Sequence, residues 1–207
     1  VNFTDGLGNP ETVTSQPTVV VGDFYAGNNL ANVRTLTNGS DVATGNGGND
    51  VLVGMDSDDT INGDGGNDLL DGGNGNDVLN GGANDDNLLG GDGADNLSGG
   101  SGIDILVGGT GFDVMDGGLG NDTFDVDSAG DVIVEAAGGG TDTIQTSLTT
   151  FSLAALPNVE NLAYGGTDTS PFIGTGNAAI NNISGGEGND RLDGLGGIDV
   201  MSGGLGN

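Results

Sequence analysis

A nine-residue repeat runs without interruption from Gly45 to Asp125, and it constrains the fold of this chain more than any other feature. In nine consecutive rows, glycine occupies the first column, aspartate the sixth and an apolar residue the eighth. The sixth-column aspartates are Asp50, Asp59, Asp68, Asp77, Asp86, Asp95, Asp104, Asp113 and Asp122. The eighth column holds Leu52, Ile61, Leu70, Leu79, Leu88, Leu97, Leu106, Met115 and Phe124. A period held in phase over this length indicates one structural unit repeated along the chain.

Each row is predicted to form a turn followed by a short strand. The first five columns are rich in glycine, which permits tight turns and positive φ. Columns seven to nine place one apolar residue between two mostly polar or small neighbours, which is the alternation of a strand with one buried face. Three residues cannot bury that face alone, so the rows must stack. Two rows would form one coil of two strands and two turns, with successive coils ~4.8 Å apart.

Stacking would bring the sixth-column aspartates together in two columns. One column would contain Asp50, Asp68, Asp86, Asp104 and Asp122, and the other Asp59, Asp77, Asp95 and Asp113. Two carboxylates about 5 Å apart at an effective dielectric constant of ~20 repel each other by roughly 3 kcal/mol. The only basic residues are Arg34 and Arg191, so the chain cannot neutralise these columns. Carboxylate and carbonyl oxygens without His or Cys favour calcium over zinc or copper, and magnesium is disfavoured because it resists dehydration.

The rows resemble the RTX, or haemolysin-type, calcium-binding repeat, whose consensus is G-G-x-G-x-D-x-U-x. Strict matches to its first six columns are Gly72–Asp77, Gly90–Asp95, Gly99–Asp104, Gly108–Asp113, Gly117–Asp122 and Gly185–Asp190. The resemblance implies an all-β fold, namely a parallel β-roll. This is a right-handed β-solenoid of eighteen residues per coil with calcium ions in the turns, together with capping or linking β segments.

The resemblance also implies the calcium ligands. Each ion would lie between turns eighteen residues apart, held by carbonyls of columns two and four of one turn, by carbonyls of columns one and three of the next, and by both aspartates. One such site would use Gly73, Gly75, Asp77, Gly90, Asp92 and Asp95; a second Gly91, Gly93, Asp95, Gly108, Thr110 and Asp113; a third Gly100, Gly102, Asp104, Gly117, Leu119 and Asp122. The other predicted carbonyl ligands are Gly48, Gly63, Gly65, Gly66, Gly72, Asn74, Gly81, Gly82, Ala83, Asn84, Gly99, Ser101, Gly109 and Gly111.

Segments on both sides of the repeats depart from the pattern. Residues 1–21 resemble the last strands of an immunoglobulin-like or cadherin-like domain, or form a linker or cap. Residues 22–134 are predicted to form the main roll, with 27–44 as a degenerate capping coil. There Asn32 and Asp41 fall in column six, but column eight holds Arg34, which cannot lie unpaired in a dry core.

Within the good rows, Met55, Ser57 and Asn84 replace turn glycines. Asn84 suits positive φ and is expected to preserve its turn, whereas Ser57 suits it less. The calcium sites at these two turns are expected to be weaker or empty.

The phase survives for one more row, with Asp131 in column six, and then breaks. Residues 135–175 are predicted to cap the first roll and link it to a second. Strands are expected near Thr143–Leu148 and Glu160–Tyr164, with a short helical turn at Leu153–Leu156. Residues 176–207 are predicted to form a second, truncated roll in which Asp190 and Asp199 are candidate metal ligands.

Composition excludes several classes of function. The chain has 46 glycines in 207 residues and a formal net charge of −29, so nucleic acid and anionic membrane surfaces are not expected partners. No apolar run approaches the length of a transmembrane helix, and no signal peptide is visible. The chain lacks Cys, His and Lys, so no nucleophile–base pair can be assembled and no enzyme activity is expected.

The sequence therefore predicts a calcium-binding module of a secreted bacterial protein, located outside the cell or at its surface. It would fold on binding extracellular Ca²⁺ and support secretion and stability of a larger protein, of which this chain is expected to be a fragment. Resemblance to the family implies type I secretion, and the expected partners are calcium, the secretion machinery and neighbouring domains. The alternative is a calcium-stiffened structural or adhesive segment of a bacterial surface protein, with carbohydrate binding as one form that adhesion could take.

Overall fold

A computed structural model describes residues 22–167 and 169–206, and all regular secondary structure in this part is β-strand. The first strands are β1 Phe24–Asn28, β2 Val33–Thr35, β3 Val42–Asn46, β4 Val51–Asp56, β5 Thr60–Gly65, β6 Leu69–Asn74, β7 Val78–Ala83, β8 Asn87–Asp92, β9 Asn96–Ser101 and β10 Ile105–Thr110. They are followed by β11 Val114–Leu119, β12 Thr123–Val126, β13 Val132–Val134, β14 Thr143–Thr146, β15 Thr150–Ser152, β16 Asn161–Tyr164, β17 Ile173–Thr175, β18 Asn182–Ser184, β19 Arg191–Asp193 and β20 Val200–Ser202.

Successive strands alternate between two parallel sheets, so the chain winds as a β-solenoid. Odd strands form a seven-stranded sheet in the order β1-β3-β5-β7-β9-β11-β13, and even strands a ten-stranded sheet from β2 to β20. Each strand pairs in parallel with the strand one coil away, as Leu70 with Leu88 and Leu79 with Leu97. These pairs are eighteen residues apart, which confirms the predicted coil.

The core is a narrow double row of apolar side chains between the two sheets. All nine eighth-column residues, from Leu52 to Phe124, are 0% exposed. In strands β6 to β11 the first-column glycine is also buried, because it points inward two residues after the apolar residue. One apolar residue per strand therefore suffices, since the coil interior holds only these two rows and glycine.

The strands are longer than the sequence suggested. Columns one to three were expected to belong to the turn, yet each strand from β4 to β11 continues through them and is six residues long. Gly73 pairs with Gly91, and Asn74 with Asp92, in the same ladder as the apolar residues. Glycine permits this close stacking, because a Cβ on Gly91 would collide with the Gly73 carbonyl of the coil before. The turn is left with columns four to six.

The first described coil differs from the rest as expected from its sequence. Arg34 on β2 pairs in register with Leu52, but its guanidinium is half-exposed at the end of the stack. It lies 3.5 Å from the Asp23 carboxylate and 5.5 Å above the centre of the Tyr25 ring. The charged group is thus paired outside the dry core. The interpretation of residues 1–21 lies outside the described residues.

Residues 135–175 extend the ten-stranded sheet. The predicted strands in this segment correspond to β14 and β16, which continue the sheet from β12 to β18. Near Leu153 the chain makes a single turn, in which the Leu156 amide donates to the Leu153 carbonyl at 2.7 Å. On the other side, β15, β17 and β19 form a new three-stranded sheet. The segment therefore extends the sheet beyond β12 with strands of its own, and the ten-stranded sheet continues through it to β20.

Candidate calcium-binding turns

Each sixth-column aspartate immediately precedes a strand, and strand pairing stacks these residues in register. The nine side chains from Asp50 to Asp122 are at most 3% exposed. Within a column, Oδ1 of each accepts a hydrogen bond from the backbone N–H of the residue eighteen positions earlier, which is Asn32 for Asp50 and an aspartate for the others. Asp59 N donates to Asp77 Oδ1 at 2.8 Å, and Asp77 N donates to Asp95 Oδ1 at 2.7 Å. The two predicted columns of aspartates are therefore confirmed.

The second oxygen of every one of these carboxylates is buried without a hydrogen-bond donor. The unpartnered atoms are Oδ2 of Asp50, Asp59, Asp68, Asp77, Asp86, Asp95, Asp104, Asp113 and Asp122. Burying a charged oxygen without a donor or a counter-charge is strongly unfavourable. A row of such oxygens requires protons or cations between the coils.

The space beside Gly99 shows what these free oxygens face. A Cβ atom on Gly99 would lie 2.5 Å from Asp104 Oδ2 and 2.8 Å from the Gly117 carbonyl oxygen. Any side chain there would fill the gap between these two oxygens, so only glycine fits. The same pairing of a carboxylate with a first-column carbonyl recurs beside the first-column glycines, namely Gly45, Gly54, Gly63, Gly72, Gly81 and Gly90. Asp104 and Gly117 belong to one predicted site, and the geometry brings them together.

Columns two and four bend the backbone so that their carbonyls point toward the next coil. Gly93, in column four, has φ of 144°, and a Cβ there would collide with the Gly75 carbonyl one coil earlier. Three positions that lack the consensus glycine, in two turns, adopt the same conformation, with φ of 93° at Met55, 79° at Ser57 and 76° at Asn84. The turn conformation is thus retained at these non-glycine residues, and the weaker calcium binding expected at their turns stays a prediction.

The third-column carbonyls already accept one hydrogen bond across the coils. Gly75 N donates to Asp92 O at 2.8 Å, Gly93 N to Thr110 O at 2.9 Å, and Gly102 N to Leu119 O at 2.8 Å. A carbonyl oxygen has two lone pairs, so each retains one for a cation. The oxygen set available at a turn consists of carboxylates and carbonyls, which are the ligands preferred by Ca²⁺.

Burial raises the pKa of aspartates in the two columns. Desolvation raises the pKa of Asp86 to about 7, with the neighbouring Asp68 and Asp104 carboxylates adding to the rise and the hydrogen bond from the Asp68 amide opposing it. Desolvation likewise raises the pKa of Asp59 and of Asp95 to about 6. Without a cation, the folded columns therefore hold protons at higher pH than free carboxylates do.

Three predicted ligands outside the main rows have different surroundings. The half-buried Asp131 accepts hydrogen bonds on both oxygens, from Asp113 N and Ser128 N, each at 3.2 Å. Asp190 is also half-buried and bonded on both oxygens, by Phe172 N at 2.8 Å and Gly186 N at 3.1 Å. Asp199 accepts from Asn181 N at 3.0 Å on Oδ1. These side chains lack the orphaned, fully buried oxygen of the main columns, and their role as ligands stays a prediction.

One member of a column was missed by the sequence analysis. Asp142 lies twenty rather than eighteen residues after Asp122, is completely buried, and accepts a hydrogen bond from Asp122 N at 2.9 Å. Its Oδ2 is unpartnered, like those of the main rows. The signal was present in the sequence: Asp142 follows a run of glycines and is followed by Thr143 and the apolar Ile144. A two-residue insertion concealed the phase.

A parallel β-solenoid with stacked carboxylates and glycine carbonyls in its turns is the architecture of a metal-binding repeat protein. The sequence profile of the RTX calcium-binding nonapeptide repeat matches residues 36–70, 63–97, 71–106, 98–133 and 175–207. These ranges cover more than half of the chain, so the chain belongs to this family. A comparison with curated proteins gave no match. The described part of the chain contains no helix long and apolar enough to cross a membrane.

Proposed function

We propose that this chain is a calcium-binding module that folds on binding extracellular Ca²⁺ and thereby supports the export and stability of a larger secreted bacterial protein. One observation carries the proposal: nine buried carboxylate oxygens in two columns lack any donor. The chain has only two basic residues and a net charge of −29, so it has no internal means of neutralising them. The family to which it belongs is a calcium-binding repeat.

The proposed ligands of a representative turn follow from this geometry. Asp104 Oδ2 and the Gly117 carbonyl would bind the ion from two adjacent coils, since both border the gap beside Gly99. The carbonyls of Gly100, Gly102 and Leu119 and the carboxylate of Asp122 would complete the shell. The other turns from Gly45 to Asp125 would use the corresponding positions.

Calcium would act as a structural part of the core. Without it, repulsion between stacked carboxylates and the conformational entropy of glycine oppose folding. With it, the free energy of metal binding becomes free energy of folding. Extracellular calcium modules bind with dissociation constants of about 10⁻⁴–10⁻³ M. Such a chain would stay unfolded in a low-calcium cytosol, ready for a secretion channel, and would fold outside the cell.

We also propose that the chain has no catalytic activity of its own. Its buried carboxylates are held in the two columns, where strand pairing and backbone hydrogen bonds engage them. No His, Cys or Lys is available to act as a base or nucleophile beside them. Enzymatic or toxic activity of the whole protein would reside in other domains.

Far-UV circular dichroism during a calcium titration, with magnesium as the control, tests the folding proposal. We expect a cooperative gain of β signal near millimolar calcium that magnesium does not reproduce. A chain already folded in excess chelator would contradict the folding switch. It would favour the alternative of a structural or adhesive segment, because the coils would then hold together without metal.

A further inference from the structure

Three carboxylates meet where the last regular row of the main block joins residues 135–175: Asp122, Glu135 and Asp142. Their ligand oxygens lie within 4.8 Å of one another. Asp122 and Asp142 are 1% and 0% exposed, and Glu135 is half-buried. Asp122 Oδ2, Glu135 Oε2 and Asp142 Oδ2 are all buried without a hydrogen-bond partner. Two of these side chains are therefore fully buried with a free oxygen directed at a shared space.

The backbone fixes all three carboxylates through their other oxygens. Asp104 N donates to Asp122 Oδ1 at 2.9 Å, and Asp122 N donates to Asp142 Oδ1 at 2.9 Å. Ala136 N donates to Glu135 Oε1 at 3.0 Å. Each group thus has one oxygen held in place and one left free, so the arrangement is built into the fold rather than being a chance approach of surface acids.

This turn differs from the regular turns in one ligand position. Beside Gly99, the two facing oxygens are a carboxylate and the Gly117 carbonyl. Beside Gly117, a Cβ would lie 2.6 Å from Asp122 Oδ2 and 2.9 Å from Glu135 Oε2. A third carboxylate therefore stands where a neutral carbonyl stands in the coil before. The change coincides with the coil that is lengthened to twenty residues between Asp122 and Asp142.

The rest of the turn keeps the oxygen arrangement of the repeats. Gly118 and Gly120 have φ of 95° and 137°, the conformation that directs carbonyls at columns two and four toward the next coil. Gly120 N donates to the Gly139 carbonyl at 2.7 Å, which replaces the third-column acceptor Leu119 of the coil before. The two inserted residues are thus accommodated without losing the turn, and only the first-column ligand changes.

We propose that Asp122, Glu135 and Asp142 form a terminal calcium site with three carboxylates, which binds Ca²⁺ more tightly than the regular turns and fastens the loop 136–141 to the end of the main block. The inference rests on the proposed calcium function of the columns. Ligand charge is one of the quantities that tunes calcium affinity, and this site carries one carboxylate more than the two of a regular turn. No basic side chain could replace the ion here, since Arg34 lies at the opposite end of the stack and Arg191 belongs to β19.

Calcium binding to the full chain, measured by equilibrium dialysis with calcium as the only added metal, tests this site. The variants are Glu135→Gln, Glu135→Asp, the matched control Glu187→Gln at an exposed position, and Asp95→Asn in the regular columns. We expect Glu135→Gln to lose one ion from the tightest class, with affinity at that site reduced roughly tenfold or more. Glu135→Asp should also lose this ion, because the side chain keeps its charge but is too short to place its carboxylate at the site. Glu187→Gln should bind as the unmodified chain does.

Hydrogen exchange at saturating calcium localises the effect independently of ion counting. We expect Glu135→Gln to speed exchange in residues 136–142 while residues 72–95 remain unchanged. Unchanged binding and exchange in Glu135→Gln, with weakened binding in Asp95→Asn, would overturn the terminal site and leave the calcium function of the columns standing. No calcium binding by any variant or by the unmodified chain would overturn both.

Discussion

The turns at Asp104 and at Asn181 belong to the same ten-stranded sheet and have nearly the same geometry but different chemistry. Beside Gly176, a Cβ would lie 2.5 Å from Asn181 Oδ1 and 2.7 Å from the Gly194 carbonyl. Beside Gly99, the corresponding distances to Asp104 Oδ2 and the Gly117 carbonyl are 2.5 and 2.8 Å. An amide oxygen in one turn thus occupies the place of a carboxylate oxygen in the other.

The two turns differ in where hydrogen-bond donors come from. Asn181 Oδ1 accepts a hydrogen bond from the backbone N–H of Asn177 at 2.7 Å. The side-chain amide of Asn177 donates to the carbonyls of Leu156 and Val159, both at 2.8 Å. Every polar atom of the two asparagines has a partner. Asp104 Oδ2 has none. The comparison indicates that coils can stack without metal where an asparagine amide supplies the hydrogen-bond donors. Where the turn has a carboxylate instead, a cation is needed to satisfy its free oxygen.

Removal of calcium should separate the two kinds of turn most strongly. At calcium one hundred times the dissociation constant, each site contributes a factor of roughly 100 to the folding equilibrium. We therefore expect excess chelator to remove hydrogen-exchange protection from residues 59–122 before residues 156–183. Equal loss of protection in both regions would show that the asparagine turn depends on metal as much as the aspartate turns do.

Asp95→Ala should weaken calcium binding more than any outward-facing substitution. Asp95 is assigned to two successive sites, so its loss is expected to raise the calcium midpoint of folding by roughly 10- to 100-fold. Asp116→Ala, on an outward strand position, is the matched control. The midpoint is measured by circular dichroism, and identical titrations of the two variants would contradict the column assignment.

Asn181→Asp should convert the metal-independent turn into a carboxylate turn. The substitution removes the Asn181 amide donor and buries a charge, so we expect a loss of about 2 kcal/mol in the free energy of unfolding at low calcium. The reciprocal variant Asp104→Asn is expected to lower the net calcium uptake by the chain. Urea unfolding in chelator and in millimolar calcium measures both effects. An Asn181→Asp variant as stable as the unmodified chain in chelator would remove the basis of the comparison.

Acid should partly replace calcium in the aspartate turns. Burial raises the pKa of Asp59, Asp95 and Asp104 to about 6 and that of Asp86 to about 7. Since these folded-state values lie above those of the unfolded chain, the folded state binds more protons. The resulting stabilisation is complete below the unfolded pKa and is lost as pH rises through about 6 to 7.

We therefore expect the β signal in chelator to increase as pH falls from 7.5 to 5, whereas calcium affinity should decrease over the same interval because protons compete for the ligands. The measurement is circular dichroism at constant ionic strength. A β signal in chelator that falls on acidification would contradict the sign of these shifts.

Met55→Gly should change the free energy of unfolding least of these variants. It tests whether backbone strain at a non-glycine residue destabilises its turn relative to the glycine turns. Met55 has φ of 93°, a conformation that costs a non-glycine residue on the order of 1 kcal/mol. Glycine should recover about that amount in calcium-saturated protein, with Asp116→Ala again as the reference. Thermal unfolding measures the gain, and destabilisation by glycine would indicate that the Met55 side chain contributes packing of its own.

The sequence by itself determined the coil, the columns and the core. A strict nine-residue period leaves one stacking register, because shifting a coil by one residue would move every eighth-column side chain out of the core. Leu70 and Leu88 therefore had to stack, and with them Asp68 and Asp86. Local composition also identified Arg34 as incompatible with a buried strand position.

Only the tertiary structure decided which carboxylate oxygens are left without hydrogen-bond donors and how the coils stack where the nine-residue period is interrupted. The extension of strands into the glycine columns depends on pairing between coils, which no single row encodes. The meeting of Glu135 with Asp122 and Asp142 depends on how a two-residue insertion is absorbed between paired strands. A period in sequence predicts contacts only while the spacing holds; where it changes, hydrogen bonding between the strands determines which side chains come together.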